Sequence, residues 1–136
     1  MILVDTSAWV EFDRATGSAV DRRLVELIEK DFDVAVTEPV MMEVLAGARD
    51  ERRVNDLRRL LLRFAFLPFD SVIDFEGAAR IYRRCRSAGI TPRGMVDCLI
   101  AMVALRSQAT LLAHDIDLSR IAGVVGVPMD PASVTS

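Results

Sequence analysis

Five acidic residues stand where an alternating α/β chain would gather them: Asp5, Glu43, Asp97, and the pair Asp115 and Asp117. Each follows or opens a strongly apolar segment. No comparable cluster of histidine, cysteine or lysine accompanies them; His114 and Lys30 are the only residues of their kinds. Carboxylates that converge without cationic partners repel one another and need a counter-charge. A hard divalent cation such as Mg²⁺ or Mn²⁺ supplies it, because these ions prefer oxygen ligands. The chemistry this suggests is metal-dependent phosphodiester hydrolysis.

Each acid also has a plainer reading. Asp5 suits a helix cap, and Glu43 alone is an ordinary solvated glutamate with Gly47 one turn on keeping its side open. Asp97 is harder to set aside, lying among Val96, Cys98, Leu99 and Ile100 on a face shared with Ala101 and Ala104. An unpaired carboxylate there carries a desolvation cost, which a helix dipole relieves only by about 0.3–1 kcal/mol. Its partner is either Arg93, one turn back, or a metal. Asp115-x-Asp117 opens like an EF-hand loop, but Arg120 and Gly126 stand where glycine and glutamate are needed. Singly the plain readings suffice; the ordered set favours a site.

The elements that must position these acids follow from periodicity. Ile2-Leu3-Val4 reads as a buried strand, ended by the possible caps Asp5, Thr6 and Ser7. A helix is expected over 18–30, a strand from Phe32 to Val36, and a helix entered through Thr37 and Pro39. Asp50 opens a charged helix to Phe64, and Ala65-Phe66-Leu67 is a third strand. Ser71 to Asp74 has capping-box form and starts a helix to Ser87, stopped by Gly89. A helix from Met95 to Arg106 is apolar nearly all round and should be central. Thr110 to Ala113 and Val124 to Val127 are expected as fourth and fifth strands, joined by a short helix near 117–121. The fold expected is a three-layer α/β/α sandwich with a central parallel sheet of four or five strands. It forms one domain over 1–128, with a loose tail at 129–136. Sites in such sheets lie beyond the carboxyl ends of strands, where strand order reverses. Asp5 and Asp115 sit just past strand ends.

The chain has 136 residues, half of them apolar, with net charge −3 and a sequence pI near 5.2. That suits a single core and argues against a bulk nucleic-acid binder, although carboxylates at a metal site lower the pI without repelling substrate once neutralised. Trp9 and Tyr82 are the only polar-tipped aromatics, too few for base stacking to dominate binding. Cys85 and Cys98 read as buried reduced thiols, which points to a cytoplasmic protein. The N-terminus lacks the form of a signal peptide, and no apolar run reaches membrane-spanning length.

Taken in order, the segments Val4-Asp5-Thr6-Ser7-Ala8-Trp9, Thr37 to Gly47 around Glu43, Arg93 to Ala101 around Asp97, and Leu111 to Leu118 resemble the PIN-domain nucleases. The resemblance covers nearly the whole chain and extends, in length too, to the VapC toxins of type II toxin–antitoxin modules. It implies a Mg²⁺- or Mn²⁺-dependent endoribonuclease with one or two ions, a homodimer, and a VapB-type antitoxin whose C-terminal segment occupies the active groove in a higher assembly. Residues matching Asp5, Glu43, Asp97 and Asp115 form the acidic site. Asp117 matches an additional acid acting through water, and Thr6 or Ser7 the small hydroxyl residue beside the first aspartate. Leu118 departs from a common phenylalanine, and His114 from a small polar residue.

The mechanism expected places the principal metal on Asp5, Asp97 and Asp115, with Glu43 and Asp117 completing the site through water or a second ion. Attack by water leaves a 5′-phosphate and a 3′-hydroxyl. Arg93 orients Asp97, touches a phosphate or is a solvated loop residue. His114, Arg49 and Arg52 are candidate RNA contacts, and the Arg83-Arg84-x-Arg86 run flanks the groove or simply faces water, the preferred reading of both arginine clusters. The stripe Val54, Leu57, Leu61 and Phe64 is core, with part of it in a dimer seam. The expected target is a structured RNA, transfer or ribosomal, cut in a single-stranded loop. A receiver-type phosphoacceptor would need a lysine beyond a late strand, and a haloacid-dehalogenase-type phosphatase an Asp-x-Asp after the first strand; both are missing. The remaining alternative is a non-catalytic PIN-like binding module, which would lack one of the acids.

Overall fold

In the computed structural model, which describes residues 1–134, four short strands alternate with seven helices. β1 (Ile2–Val4), β2 (Val34–Val36), β3 (Ala65–Phe66) and β4 (Thr110–Leu112) are all parallel and lie in the order β3-β2-β1-β4. The order reverses at β1, which pairs with β2 on one side and β4 on the other. The β-branched and leucine side chains of β1, β2 and β4 are buried almost throughout, as a sheet covered on both faces requires.

The helices α1 (Thr6–Asp13), α2 (Ala19–Glu29), α3 (Glu38–Ala46) and α4 (Glu51–Leu61) form one group, and α5 (Ser71–Ser87), α6 (Met95–Ser107) and α7 (Ile116–Val125) another. Sheet and helices make the three-layer α/β/α sandwich. The core is continuous, and α6 contributes Cys98, Ile100, Ala101, Val103 and Ala104 to it. Trp9 of α1 packs edge-on against Phe12 and tilted against Phe64, with ring centroids 6.0 and 5.3 Å apart. Among the described residues no helix is long and apolar enough to cross a membrane. The thiols of Cys85 and Cys98 are free and buried, and burial pushes that of Cys98 up to about 11.

Four expectations need correction. No fifth strand forms at 124–127. Val124 and Val125 complete α7 instead, because Leu118, Ile121, Ala122 and Val125 make one buried helical stripe. Gly126, at φ +81°, then ends the helix in the left-handed conformation, with its own N–H and that of Val127 both donating to the Ala122 carbonyl. The helix expected at 117–121 is therefore longer at both ends. The cap of α5 is Asp70, whose carboxylate accepts from Val72 N and Ile73 N, not Ser71. Asp74 is fully buried and holds Arg106 through a two-point contact of 2.9 Å at each oxygen.

The tail is the fourth. Residues 129–134 are docked against β4, and 135–136 lie outside the described residues. Met129 bridges Leu111 in parallel, Asp130 N donates to Leu111 O at 2.7 Å, and Val134 N donates to Ala113 O at 3.1 Å. Ser133 Oγ accepts from Ala113 N, and buried Asp130 takes the Arg23 guanidinium of α2 at 3.1 Å. The short, polar composition hid this because the pairing is with the backbone of an otherwise open sheet edge. Asp130→Ala should therefore lower stability by about 1–3 kcal/mol in urea unfolding, by removing the buried partner of Arg23, which keeps only Glu26, and by loosening the tail turn; an unchanged midpoint would mean the segment is not held.

Candidate active site

β1 and β4 end side by side at the strand-order reversal, and each is followed by an aspartate that caps a helix. Asp5 caps α1: its Oδ2 accepts from Ser7 N at 3.0 Å and from Ser7 Oγ at 2.5 Å. Asp115 caps α7: its Oδ1 accepts from Asp117 N at 2.8 Å, from Leu118 N at 3.4 Å and from the Arg93 guanidinium at 3.0 Å. Asp97 lies in the first turn of α6, and Glu43 lies in α3, where its Oε1 accepts from Thr6 Oγ1 at 2.7 Å. The cap role and the site role coincide, since a cap holds its carboxylate at the strand terminus.

The acids act on one another through space. Burial raises Asp5 to about 6, with the nearby charges of Glu43 and Asp115 adding to it and the Ser7 hydrogen bonds opposing it. Burial likewise raises Asp97 to about 7, reinforced by Asp5, Asp115, Glu43 and Asp117. The other four acids expected at the site are therefore all within electrostatic reach of Asp97. Among the described residues, no three acidic, histidine or cysteine side chains form a ready-made cage for an ion. Their free oxygens are the notable feature. Asp5 Oδ1 is buried with no hydrogen-bond partner, and the donors to Asp115 all meet Oδ1. Asp5 and Asp115 are each held by one oxygen while, among the described residues, the other has no hydrogen-bond partner, which is the kind of donor a hard cation would use.

The supporting residues divide the work. Ser7 Oγ donates to Asp5 and accepts from His114 N at 2.8 Å, so one hydroxyl ties the end of β1 to the end of β4. Thr6 serves Glu43. Arg93 does not pair with Asp97 as one reading expected; its guanidinium spans Asp115 and Asp117, at 3.0 and 3.5 Å, while its N–H donates to Asp117 Oδ2 at 3.0 Å. Asp117 is thus largely occupied in holding the loop before α6. His114 is partly exposed, and its Nε2 lies 3.5 Å from Glu11 Oε1, turned to α1. An open cavity of about 590 Å³ is walled by Arg93, His114, Asp115, Asp117, Arg120 and Val134. Arg49 lines a second cleft, and Arg52 is exposed on α4 outside it. Sequence reasoning missed Glu11, Arg14, Arg120 and Thr37, the last a fully buried residue after β2 whose hydroxyl has no hydrogen-bond partner. Only Thr37 gave a signal, as a strand-end hydroxyl.

The raised carboxylates have a consequence for stability. Their folded pKa values exceed the ordinary 3.8, so between pH 3.8 and about 7 the folded chain binds more protons than the unfolded one. Metal-free stability should rise as pH falls from 8 toward 5. The opposite contribution from Glu11, whose pKa is lowered chiefly by Thr16, sets in only below its ordinary 4.5. Asp97→Asn should stabilise the metal-free protein at pH 8 by about 1–2 kcal/mol, discounted for partial exposure, and flatten that slope. Thermal unfolding in EDTA across pH checks it, and an unaltered slope in the variant would contradict the crowding of these acids.

The chain as a whole is similar to known proteins. The PIN domain family model matches residues 2–124. Ribonuclease VapC11 of Mycobacterium tuberculosis is 46% identical over 129 residues, covering 93% of this chain and 96% of the relative. Ribonuclease VapC32 of the same organism is 36% identical over 132 residues, covering 95% and 96%. In three dimensions the chain resembles VapBC2 of Rickettsia felis bound to a promoter DNA fragment, with a TM-score of 0.75 at 19% identity over 98% of this chain and 99% of the other. On the family match and the two relatives, this chain belongs to the PIN domain family, among the VapC ribonucleases.

Proposed function

We propose that this chain is a divalent-metal-dependent endoribonuclease that acts as the toxin of a toxin–antitoxin pair. The observation that carries the chemistry is the mutual electrostatic influence of Asp5, Glu43, Asp97 and Asp115, together with Asp5 Oδ1 buried and unpartnered. A non-catalytic module would lack one of these acids, and none is lost.

Asp5, Asp97 and Asp115 would hold the principal Mg²⁺ or Mn²⁺, and Glu43 would complete the site through water or a second ion. Asp117 contributes less directly, since Arg93 already engages it. The cation supplies a Lewis acid that lowers the pKa of an attacking water and neutralises phosphate charge. Ser7 and the α7 N-terminus keep Asp5 and Asp115 at the strand ends, and Thr6 fixes the Glu43 carboxylate. Water oxygen forms the new bond to phosphorus and the bond to the 3′ oxygen breaks, giving a 5′-phosphate and a 3′-hydroxyl. Arg93 and Arg120 face the open cavity beside Asp115, where a substrate phosphate could meet them.

The toxin role draws support from the solved relatives. The Rickettsia felis complex is VapBC2, and a structure of FitAB is bound to a DNA fragment. A VapB-type antitoxin is the corresponding partner for this chain, in the cytoplasm, with homodimerisation through exposed apolar side chains. The M. tuberculosis relative VapC20 is described as a toxin that cleaves the sarcin-ricin loop. A structured RNA, ribosomal or transfer, is the matching substrate class.

Asp5→Asn or Asp97→Asn should reduce cleavage of total RNA at least about 10³-fold while the protein remains folded, and EDTA should do the same to the parent. Gel analysis of RNA with Mg²⁺, Mn²⁺ or EDTA tests this; undiminished cleavage by both variants would remove the site assignment. Because Asp97 sits near 7, Mn²⁺ binding should also release protons at pH 6.5. Calorimetric titration in buffers of different ionisation enthalpy should find a release that is clearly smaller in Asp97→Asn, Asp5 supplying the remainder, and a buffer-independent heat in the parent would count against that ligand.

A further inference from the structure

A second cleft opens beside Glu43. It begins at Glu43 and Trp9, where it encloses about 90 Å³, and widens to about 370 Å³ past Arg14, Gly47 and Arg49. Its narrow and wide parts share Asp13, Arg14, Gly47 and Leu57, so they form one channel between α1 and the α3–α4 turn.

Its charge is distinctive in a chain of net charge −3. Asp13 faces the cleft, and Arg53 of α4 pairs with it. That leaves Arg14 and Arg49, both exposed and, among the described residues, without an ion-pair partner. Glu43 is the remaining carboxylate, and it sits at the mouth held by Thr6. Trp9, which walls the narrow part, is 2% exposed. Two guanidinium groups without ion-pair partners thus face one channel, and both call for anionic oxygen.

We propose that this channel, walled by Trp9, Arg14, Gly47 and Arg49, seats the phosphodiester backbone of the RNA on one side of the bond to be cut. The inference rests on the nuclease reading. A polynucleotide whose scissile phosphate lies at the acids carries its next phosphates outward, and the channel leaves the acids directly at Glu43. The planar arginine fork suits those phosphates and reads no base, so this seat supplies affinity and register while selectivity lies elsewhere. Gly47 keeps the floor low, since it adds no side chain between the narrow and wide parts.

The probe is a fluorescein-labelled 12-nucleotide single-stranded RNA of mixed sequence, bound to the Asp97→Asn protein so that it is not consumed. Anisotropy should show that Arg14→Gln and Arg49→Gln each weaken binding roughly five-fold and each reduce the salt slope by about one. Arg59→Gln, on α4 outside the channel, should leave both unchanged. Trp9 is the only tryptophan, so its emission reports on the channel itself and should shift on RNA addition. Parent-like affinity and salt slope in both arginine variants, or an unmoved Trp9 emission, would overturn the proposal. So would intact RNA binding combined with weakened binding of the antitoxin, which would assign the channel to a protein chain. If wild-type protein cleaves RNA yet the arginine variants bind normally, only this inference falls; if it neither cleaves nor binds RNA, the nuclease reading falls with it.

Discussion

The structure is organised around carboxylates that are held where they repel one another. Burial and mutual repulsion raise Asp5 and Asp97 toward neutrality, so this corner of the fold is electrostatically costly in the absence of a counter-charge. The rest of the molecule has to keep the acids from turning away. Parallel strands do this at the coarsest level, because β1 and β4 pair residue by residue from Ile2 and Thr110 to Val4 and Leu112 and so end together. Helix capping does it at the next level. Asp5 and Asp115 each satisfy backbone N–H groups at a helix start, which ties their orientation to the formation of α1 and α7.

Short polar side chains finish the arrangement. Ser7 connects the first aspartate to the backbone at His114, and Thr6 reaches across to α3 to hold Glu43. Hydroxyls suit this role because each can donate to a carboxylate while accepting from a backbone N–H, and neither adds charge to a crowded site. Among the described residues, Arg93 is the cation that pairs with the cluster, and it goes to Asp115 and Asp117. Asp97 and Asp5 keep their charge problem. These two acids are therefore the ones whose protonation a bound cation would most change.

The site is open on two sides with different chemistry. Next to Asp115 the cavity wall includes Val134, so the docked tail helps shape it as well as closing the sheet edge at β4. Next to Glu43 the channel runs past Trp9 and two arginines that, among the described residues, have no ion-pair partner. A negatively charged chain can thus present positive surface where a polyanion would lie, because Asp13 and Arg53 neutralise each other and leave the neighbouring guanidinium groups in excess.

Much of this was legible in the residues themselves. Runs such as Ile2-Leu3-Val4 mark strands, the helical stripes of α2 and α4 mark amphipathic helices, and acids directly after strands mark the site, since these signals are local and set by backbone periodicity. The resemblance to the PIN-domain nucleases rests on those same acids, taken in their order along the chain. The sequence misled where tertiary contacts overrode local preference. Val124 and Val125 have strand character but complete a buried helical stripe, and the residues after Pro128 have the composition of a loose end but pair with an exposed sheet edge. Partner choice was equally invisible: nothing in the order of residues says that Arg93 engages Asp115 rather than Asp97, that Arg53 pairs with Asp13, or that Arg14 and Arg49 share a channel with Trp9. By itself the sequence determined which side chains carry chemistry and which segments become strands and helices, because both are written in residue type and spacing. The tertiary structure decided which charges neutralise one another and which remain free, because that depends on distances of a few ångströms between residues far apart along the chain.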